Sequence, residues 1–148
     1  MYAQLIDGAV VAYPVDVRQR HPNVSFPSPW AGGVVDGMEY VDVASTAQPA
    51  TTYQQNLTEG SPELVNGVWS QTWTISAATS EQISERITAQ WSTVRADRNQ
   101  RLASCDWTQL PDSPLSVDQK AQWASYRQAL RDVTQQSDPF AIVWPTAP

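Results

Sequence analysis

The chain has one cysteine, Cys105, and one histidine, His21. An internal disulfide needs two cysteines and a structural zinc site needs four Cys or His ligands, so both are excluded on count. A histidine-based catalytic triad would rest on His21 alone. That residue precedes Pro22 in a turn-rich stretch, where an ordinary exposed histidine is expected. Basic residues are scarce too: nine Lys and Arg against fifteen Asp and Glu leave a formal charge of −6. This weighs against a nucleic-acid partner, because phosphate binding draws most of its affinity from Lys and Arg. The Gly32-Gly33 pair lacks the following Lys-Ser/Thr of a nucleotide cradle. No apolar run approaches the length of a membrane span, and the N-terminus has no basic-then-apolar signal pattern. The expectation is an intracellular protein with no membrane partner and no cofactor.

Charged side chains make up only 16% of the 148 residues, while apolar ones reach 41%. A packed core is therefore within reach, with Gln, Ser, Thr and Asn filling the surface. That surface suits a protein partly covered by partners, and equally a merely soluble domain. The charge is uneven. Residues 1–80 hold Arg18 and Arg20 against seven acidic side chains, whereas the remainder is nearly balanced. An acidic N-terminal half could steer a basic partner, or simply be a solvated face.

Two Gly-containing turn signals organise the first part. Asp7-Gly8 lies between β-prone runs, and Asn66-Gly67 lies between residues 63–65 and 68–75; both pairs tolerate the positive φ of a tight hairpin turn. Pro14 is expected to stop the second strand or confine it to an edge. Short extended pieces are expected at residues 24–26 and 39–43, followed by an exposed Ala/Ser/Thr/Gln connector over residues 44–52. Trp69, Gln71, Trp73 and Ile75 share one face of a strand by the two-residue period, a face expected to pack against the following helix.

Two capping boxes then announce helices: Thr79 with Gln82, and Ser116 with Gln119. Ile83, Ile87, Trp91, Val94, Arg98, Leu102 and Cys105 recur three or four apart, predicting a helix of about 25 residues. Gln119, Trp123, Tyr126, Leu130 and Val133 continue the same spacing in the second helix. The two helices read as an antiparallel pair joined by a loop over residues 106–115. The apolar tail, Phe140-Ala-Ile-Val-Trp-Pro145, would lie on the body or on another subunit. The resulting fold class is α+β: N-terminal β-hairpins and short strands over residues 1–76, with a further break possible near 44–52. A helical hairpin and an extended tail occupy residues 77–148.

No nucleophile–base or metal-ligand set can be assembled, so an enzyme is not expected. Asp106 and Asp112 read as turn-formers whose side chains accept from nearby backbone N–H groups. Cys105 ends an apolar stripe and reads as a buried small hydrophobe. Arg98 and Arg127 stand in or beside apolar stripes, where a guanidinium needs acceptors. Each is expected to pair within the helical hairpin, with Asp106 or Asp112, or to meet a partner chain. Seven Trp and five Tyr against two Phe favour aromatic groups that keep one hydrogen-bonding atom, as interfaces and sugar-stacking surfaces do.

The last third of the chain carries a dense signature. Trp91, Arg95, Arg98 and Asn99 are followed by Cys105-Asp-Trp-Thr-Gln-Leu-Pro-Asp112 and by Pro114-Leu115. Trp123 then precedes Tyr126-Arg-Gln-Ala-Leu-Arg-Asp132, and the signature closes on Val143-Trp144-Pro145. Together these resemble the bacteriophage tail assembly chaperone family. Upstream, His21-Pro-Asn-Val-Ser-Phe-Pro27 and the stretch 57–73 are similar to phage proteins described as tail fibre or virion components. The resemblance implies a non-catalytic protein that binds a tail fibre chain and assists its folding, assembly or attachment. It implies action in the host cytoplasm, with retention in the virion tail left open. Trp91, Arg98, Trp107, Trp123, Tyr126 and Arg127 are the partner-binding residues it singles out. The alternatives are a permanent virion subunit joining fibre to baseplate, self-association, or a carbohydrate-binding module using the Trp69/Trp73 face.

Overall fold

The computed structural model describes all residues, Met1–Pro148, and they form an α+β protein. Two compact units divide the chain, Met1–Ala78 and Thr79–Pro148.

The first unit opens with the hairpin β1 (Tyr2–Ile6) and β2 (Ala9–Val15). Asp7 and Gly8 turn it with φ of 50° and 75°, the two positive values of a type I′ turn. One helical turn follows, α1 (Val17–Arg20), capped by Asp16, whose carboxylate accepts from the Gln19 N–H at 3.0 Å. A second hairpin joins β3 (Gly32–Val35) to β4 (Met38–Asp42). Its turn is Asp36-Gly37, with φ of 49° and 77°. The four strands form one antiparallel sheet ordered β2-β1-β4-β3. Pro14 does not stop β2; the strand runs through it to Val15, which an edge position allows because no neighbour asks for its N–H.

Strand β3 was not expected from residues 32–35, where two glycines read as punctuation. Gly32 has φ +102°, and a Cβ there would lie 2.5 Å from the Tyr40 carbonyl oxygen, so the close approach of β3 to β4 requires glycine. The predicted extended piece at 24–26 is not a strand. Phe26 instead folds onto Trp30, with ring centroids 4.8 Å apart. The core of the sheet consists of Val15, Val17, Val35 and Tyr40, with Tyr2, Ala12, Phe26, Trp30 and Met38 packed around them.

The rest of the first unit is two small two-stranded sheets. β5 (Gln55–Glu59) pairs antiparallel with β8 (Trp73–Ala77), and β6 (Glu63–Val65) pairs with β7 (Val68–Ser70). Asn66-Gly67 makes the β6–β7 turn as expected, with φ of 50° and 80°. The single strand expected over residues 68–75 is broken at Gln71-Thr72, and its two halves take different partners. Gln71 is the buried residue at the break: its amide oxygen accepts from Ser45 Oγ and the Thr46 N–H, and its amide nitrogen donates to Glu59. Ala44 bridges to Ser70, so the start of the 44–52 stretch is tied to the body rather than free.

The second unit contains α2 (Ser80–Ser104) and α3 (Val117–Asp132). Both predicted capping boxes form: Thr79 and Gln82 serve α2, and Ser116 and Gln119 serve α3. A 3-10 turn, Asp106–Gln109, touches both helices, and the helices touch each other. A second 3-10 turn, Val133–Gln135, ends α3 and also meets α2. The buried apolar set is short: Val94, Cys105, Leu130 and Val133.

The tail lies against its own unit. Gln90 Nε2 donates to the Pro139 carbonyl at 3.3 Å, and the Arg101 guanidinium sits 4.3 Å from the Trp144 ring centroid. The Gln136 side-chain amide accepts from the Val143 N–H and donates to the Val143 carbonyl, both at 2.9 Å, as a neighbouring strand would.

Candidate functional site

The densest cluster of the singled-out residues forms where α2, the 3-10 turn and α3 meet. The positions Trp123, Tyr126 and Leu130 share one face of α3 by helical spacing. Leu130 is fully buried, while Trp123 and Tyr126 are half-buried. Their rings meet edge to face at 5.6 Å, and Trp107 from the 3-10 turn joins with its centroid 6.4 Å from Trp123. Trp107 keeps 46% of its surface exposed. Such a half-covered aromatic group presents a large apolar area with little side-chain freedom to lose on contact.

Arg127 holds the cluster in place. Its Nη1 donates to the Leu102 carbonyl at the end of α2 at 2.8 Å, and its Nη2 to Asp106 Oδ1 at 2.6 Å. Cys105 Sγ lies 3.1 Å from Nη1. The Arg127 side chain is 12% exposed. Burial works against its charge, but the Asp106 and Cys105 contacts outweigh it and leave the guanidinium above its ordinary pKa. The ion pair with Asp106 is the intramolecular pairing expected from the sequence. Through Nη1 the same guanidinium adds a second donor to the Leu102 carbonyl, which also accepts from the Cys105 N–H at the end of α2. Thr108, fully buried, donates its hydroxyl to the Cys105 carbonyl at 2.7 Å. Lys120 reaches the Leu110 carbonyl at 3.2 Å, so the loop bearing Trp107 is tied at several points.

The remaining two singled-out residues lie along α2. Trp91 is half-buried, with the Arg95 guanidinium 6.0 Å from its ring centroid. Arg98 does not pair with Asp106 or Asp112; its Nε and Nη2 both donate to Asn99 Oδ1, at 3.1 and 3.0 Å. Four of the six residues thus converge, and two stand apart from them. Cys105 is buried as expected, at 2% exposure.

Sequence reading missed Arg101. It pairs with Asp97 at 2.9 Å and covers Trp144, and the Asp97 hydrogen bond, against a smaller cost of burial, lifts its pKa. The i, i+4 spacing from Asp97 was a visible sign of the pair. A cavity of about 200 Å³ lies here between α2 and the tail, bordered by Val94, Ile142 and Trp144.

His21 corrects the expectation of an exposed histidine. It is buried in the first unit, 2.8 Å from Asp36 Oδ2 through Nδ1 and 3.0 Å from the Tyr40 hydroxyl through Nε2. This Asp-His-Tyr row resembles a catalytic relay only in composition. Tyr40 is 1% exposed, so no substrate reaches its hydroxyl, and the row clips the β3–β4 turn to the end of α1. Trp69 and Trp73, expected on one strand, are separated by the break at Gln71-Thr72. The two rings belong to different strands, Trp73 Nε1 donates to Thr46 Oγ1 at 2.9 Å, and Ile75 is 42% exposed.

No group of three or more His, Cys, Asp and Glu side chains is arranged to hold a metal ion. No helix is long and apolar enough to cross a membrane. Among solved structures, the solution structure of a protein from Chromobacterium violaceum is 46% identical. That match covers 48% of this chain and 73% of the other, with a TM-score of 0.37. No curated protein matches the chain. Residues 91–148, which include all six singled-out residues, match the model of the phage tail assembly chaperone proteins. Over residues 91–148 the chain is thus similar to the phage tail assembly chaperone proteins.

Proposed function

We propose that this protein is a non-enzymatic partner of a phage tail fibre chain, binding it and supporting its folding, assembly or attachment. The observation that carries this reading is the half-exposed aromatic cluster Trp107, Trp123 and Tyr126, pinned by Arg127 inside the family-matched stretch. Rigid aromatic anchors with an apolar body and one polar atom dominate protein interfaces, and fixing them in advance lowers the ordering cost of association. Trp107 and Trp123 supply contact area, while Arg127 and Tyr126 position them. Trp91 and Arg98 extend the surface along α2. Fibre chains expose unpaired strand edges before they associate, and such edges aggregate unless covered. Binding takes place in the host cytoplasm, where those chains are made.

The test is co-expression with the fibre gene of the same phage, followed by mass spectrometry of the soluble complex and of finished particles. Soluble fibre only in the presence of this protein, with the protein absent from particles, is the expected result. Retention in particles at fixed stoichiometry would make it a virion subunit that links fibre to baseplate. Unchanged fibre solubility together with no complex would sink the proposal. The Trp107→Ala variant should lose capture of the fibre while keeping its fold.

A further inference from the structure

Strand β2 ends its sheet, so one of its edges has no strand partner. Two cavities follow that strand and share Pro14. The first, about 380 Å³, is lined by residues 10–14 and 59–61. The second, about 490 Å³, is lined by residues 14–19 together with Met1, Tyr2 and Trp30. Pairing with β1 is irregular at two points along β2, and Pro14 has no N–H. The stretch open to a new strand is therefore short, residues 10–13, and it coincides with the first cavity.

The charge at this groove has one sign left over. Tyr13 and Gln71 both donate to Glu59 Oε1, which leaves Oε2 without a partner. Arg18, the cation at the second cavity, is already engaged: it donates to the Pro27 carbonyl at 3.3 Å and lies 5.5 Å from the Phe26 ring centroid. The unit around it is acidic, with two basic against seven acidic side chains through residue 80. Lining the second cavity are the buried Val15 and Val17 and the half-buried Tyr2 and Trp30.

We propose that β2 is a docking edge for an extended segment of a partner protein, with a basic side chain of that segment beside Glu59 and an apolar one in the Tyr2/Trp30 cavity. An open edge selects an extended chain because its free N–H and C=O groups are satisfied by another strand; pockets beside it select side chains. The unpartnered carboxylate oxygen selects a guanidinium or ammonium. This rests on reading the chain as a binder of other proteins, but not on the aromatic cluster of the second unit.

The experiment titrates isotope-labelled full-length protein with a synthetic seven-residue peptide of alternating valine and threonine and a central arginine. Two controls carry glutamate at the centre, or N-methyl groups on alternate amides. The expected result is amide shifts and slowed exchange confined to residues 10–13 and 59–61. Affinity for the arginine peptide should be about tenfold above that for the glutamate peptide, a gap that Glu59→Gln removes while keeping an acceptor for Tyr13 and Gln71. Absence of shifts at residues 10–13, or equal binding of the N-methylated peptide, would overturn the proposal. So would protection of β2 that grows with protein concentration alone, since a second copy would then occupy the edge. The peptides are not phage proteins, so this outcome is independent of whether the fibre is captured in co-expression.

Discussion

The two units differ in whether an aromatic ring is fully buried. In Met1–Ala78, Tyr40 is fully buried and Tyr2, Phe26 and Trp30 close around it, so aromatic rings build the core of a four-stranded sheet. In Thr79–Pro148 the buried side chains are small or aliphatic, and Trp91, Trp107, Trp123, Tyr126 and Trp144 keep part of their surface open. A ring inside a core stabilises one fold. A ring held half-open by polar ties is available to a second molecule as well. The difference makes Tyr40 a purely structural ring, whereas the rings of the helical unit keep surface open.

The largest effect expected from breaking this contrast is in the thin core of the helical unit. Leu130→Ala removes a fully buried side chain and should cost roughly 2–5 kcal/mol of stability, read by denaturant titration. A fall in midpoint no greater than that of a surface substitution would show that α3 is not anchored there. Next comes Tyr40→Phe, which leaves the buried His21 Nε2 without its partner and should cost about 1–3 kcal/mol. Its fibre capture should be unchanged, because Tyr40 belongs to the core alone.

Trp107→Ala should do the reverse. With 46% of the side chain exposed, its stability cost should stay near 1 kcal/mol, while binding weakens by about 2 kcal/mol or more, roughly thirtyfold. A variant that unfolds, or that binds normally, would erase the distinction between the two units. Thr79→Ala removes the hydroxyl that accepts from the Gln82 N–H and should cost about 1 kcal/mol, visible as lost ellipticity on heating. The smallest effect is at high pH. Burial first, and then the bond to Glu59, raise the pKa of Tyr13 above its usual 10.0. The folded protein therefore holds that proton more tightly than the unfolded chain does. Its stabilising contribution is complete below about pH 10 and is lost as pH rises through the folded value. Tyr13→Phe should accordingly flatten the stability profile in that alkaline window.

Local signals were legible where a few adjacent residues suffice. Asp7-Gly8, Asn66-Gly67 and both capping boxes appear where their chemistry predicts, because a tight turn or a helix start is satisfied by atoms within four residues. Asp36-Gly37 carries the same turn signal, yet glycines at 32 and 33 obscured the strand before it. Strand β5 had no alternation to detect, since Gln55-Asn56-Leu57-Thr58-Glu59 contains one apolar residue, and its pairing with β8 decides its shape. The break at Gln71 was equally hidden. The two-residue period runs unbroken through it, and only Ser45, Thr46 and Glu59 explain why that amide is drawn inside.

At the candidate site the same division holds. Count left no pair for an internal disulfide and no Cys/His set for a structural zinc site, and helical spacing put Trp123, Tyr126 and Leu130 on one face, because count and period are properties of the chain alone. The burial of His21 depended on Asp36 and Tyr40, 15 and 19 residues away. The choice of Asp106 over Asp112 for Arg127, and the descent of Trp144 onto Arg101, likewise required the folded chain. Turns and caps are fixed by neighbours along the backbone. Which ring is covered and which stays open depends on residues brought together from afar, and only tertiary packing decides that.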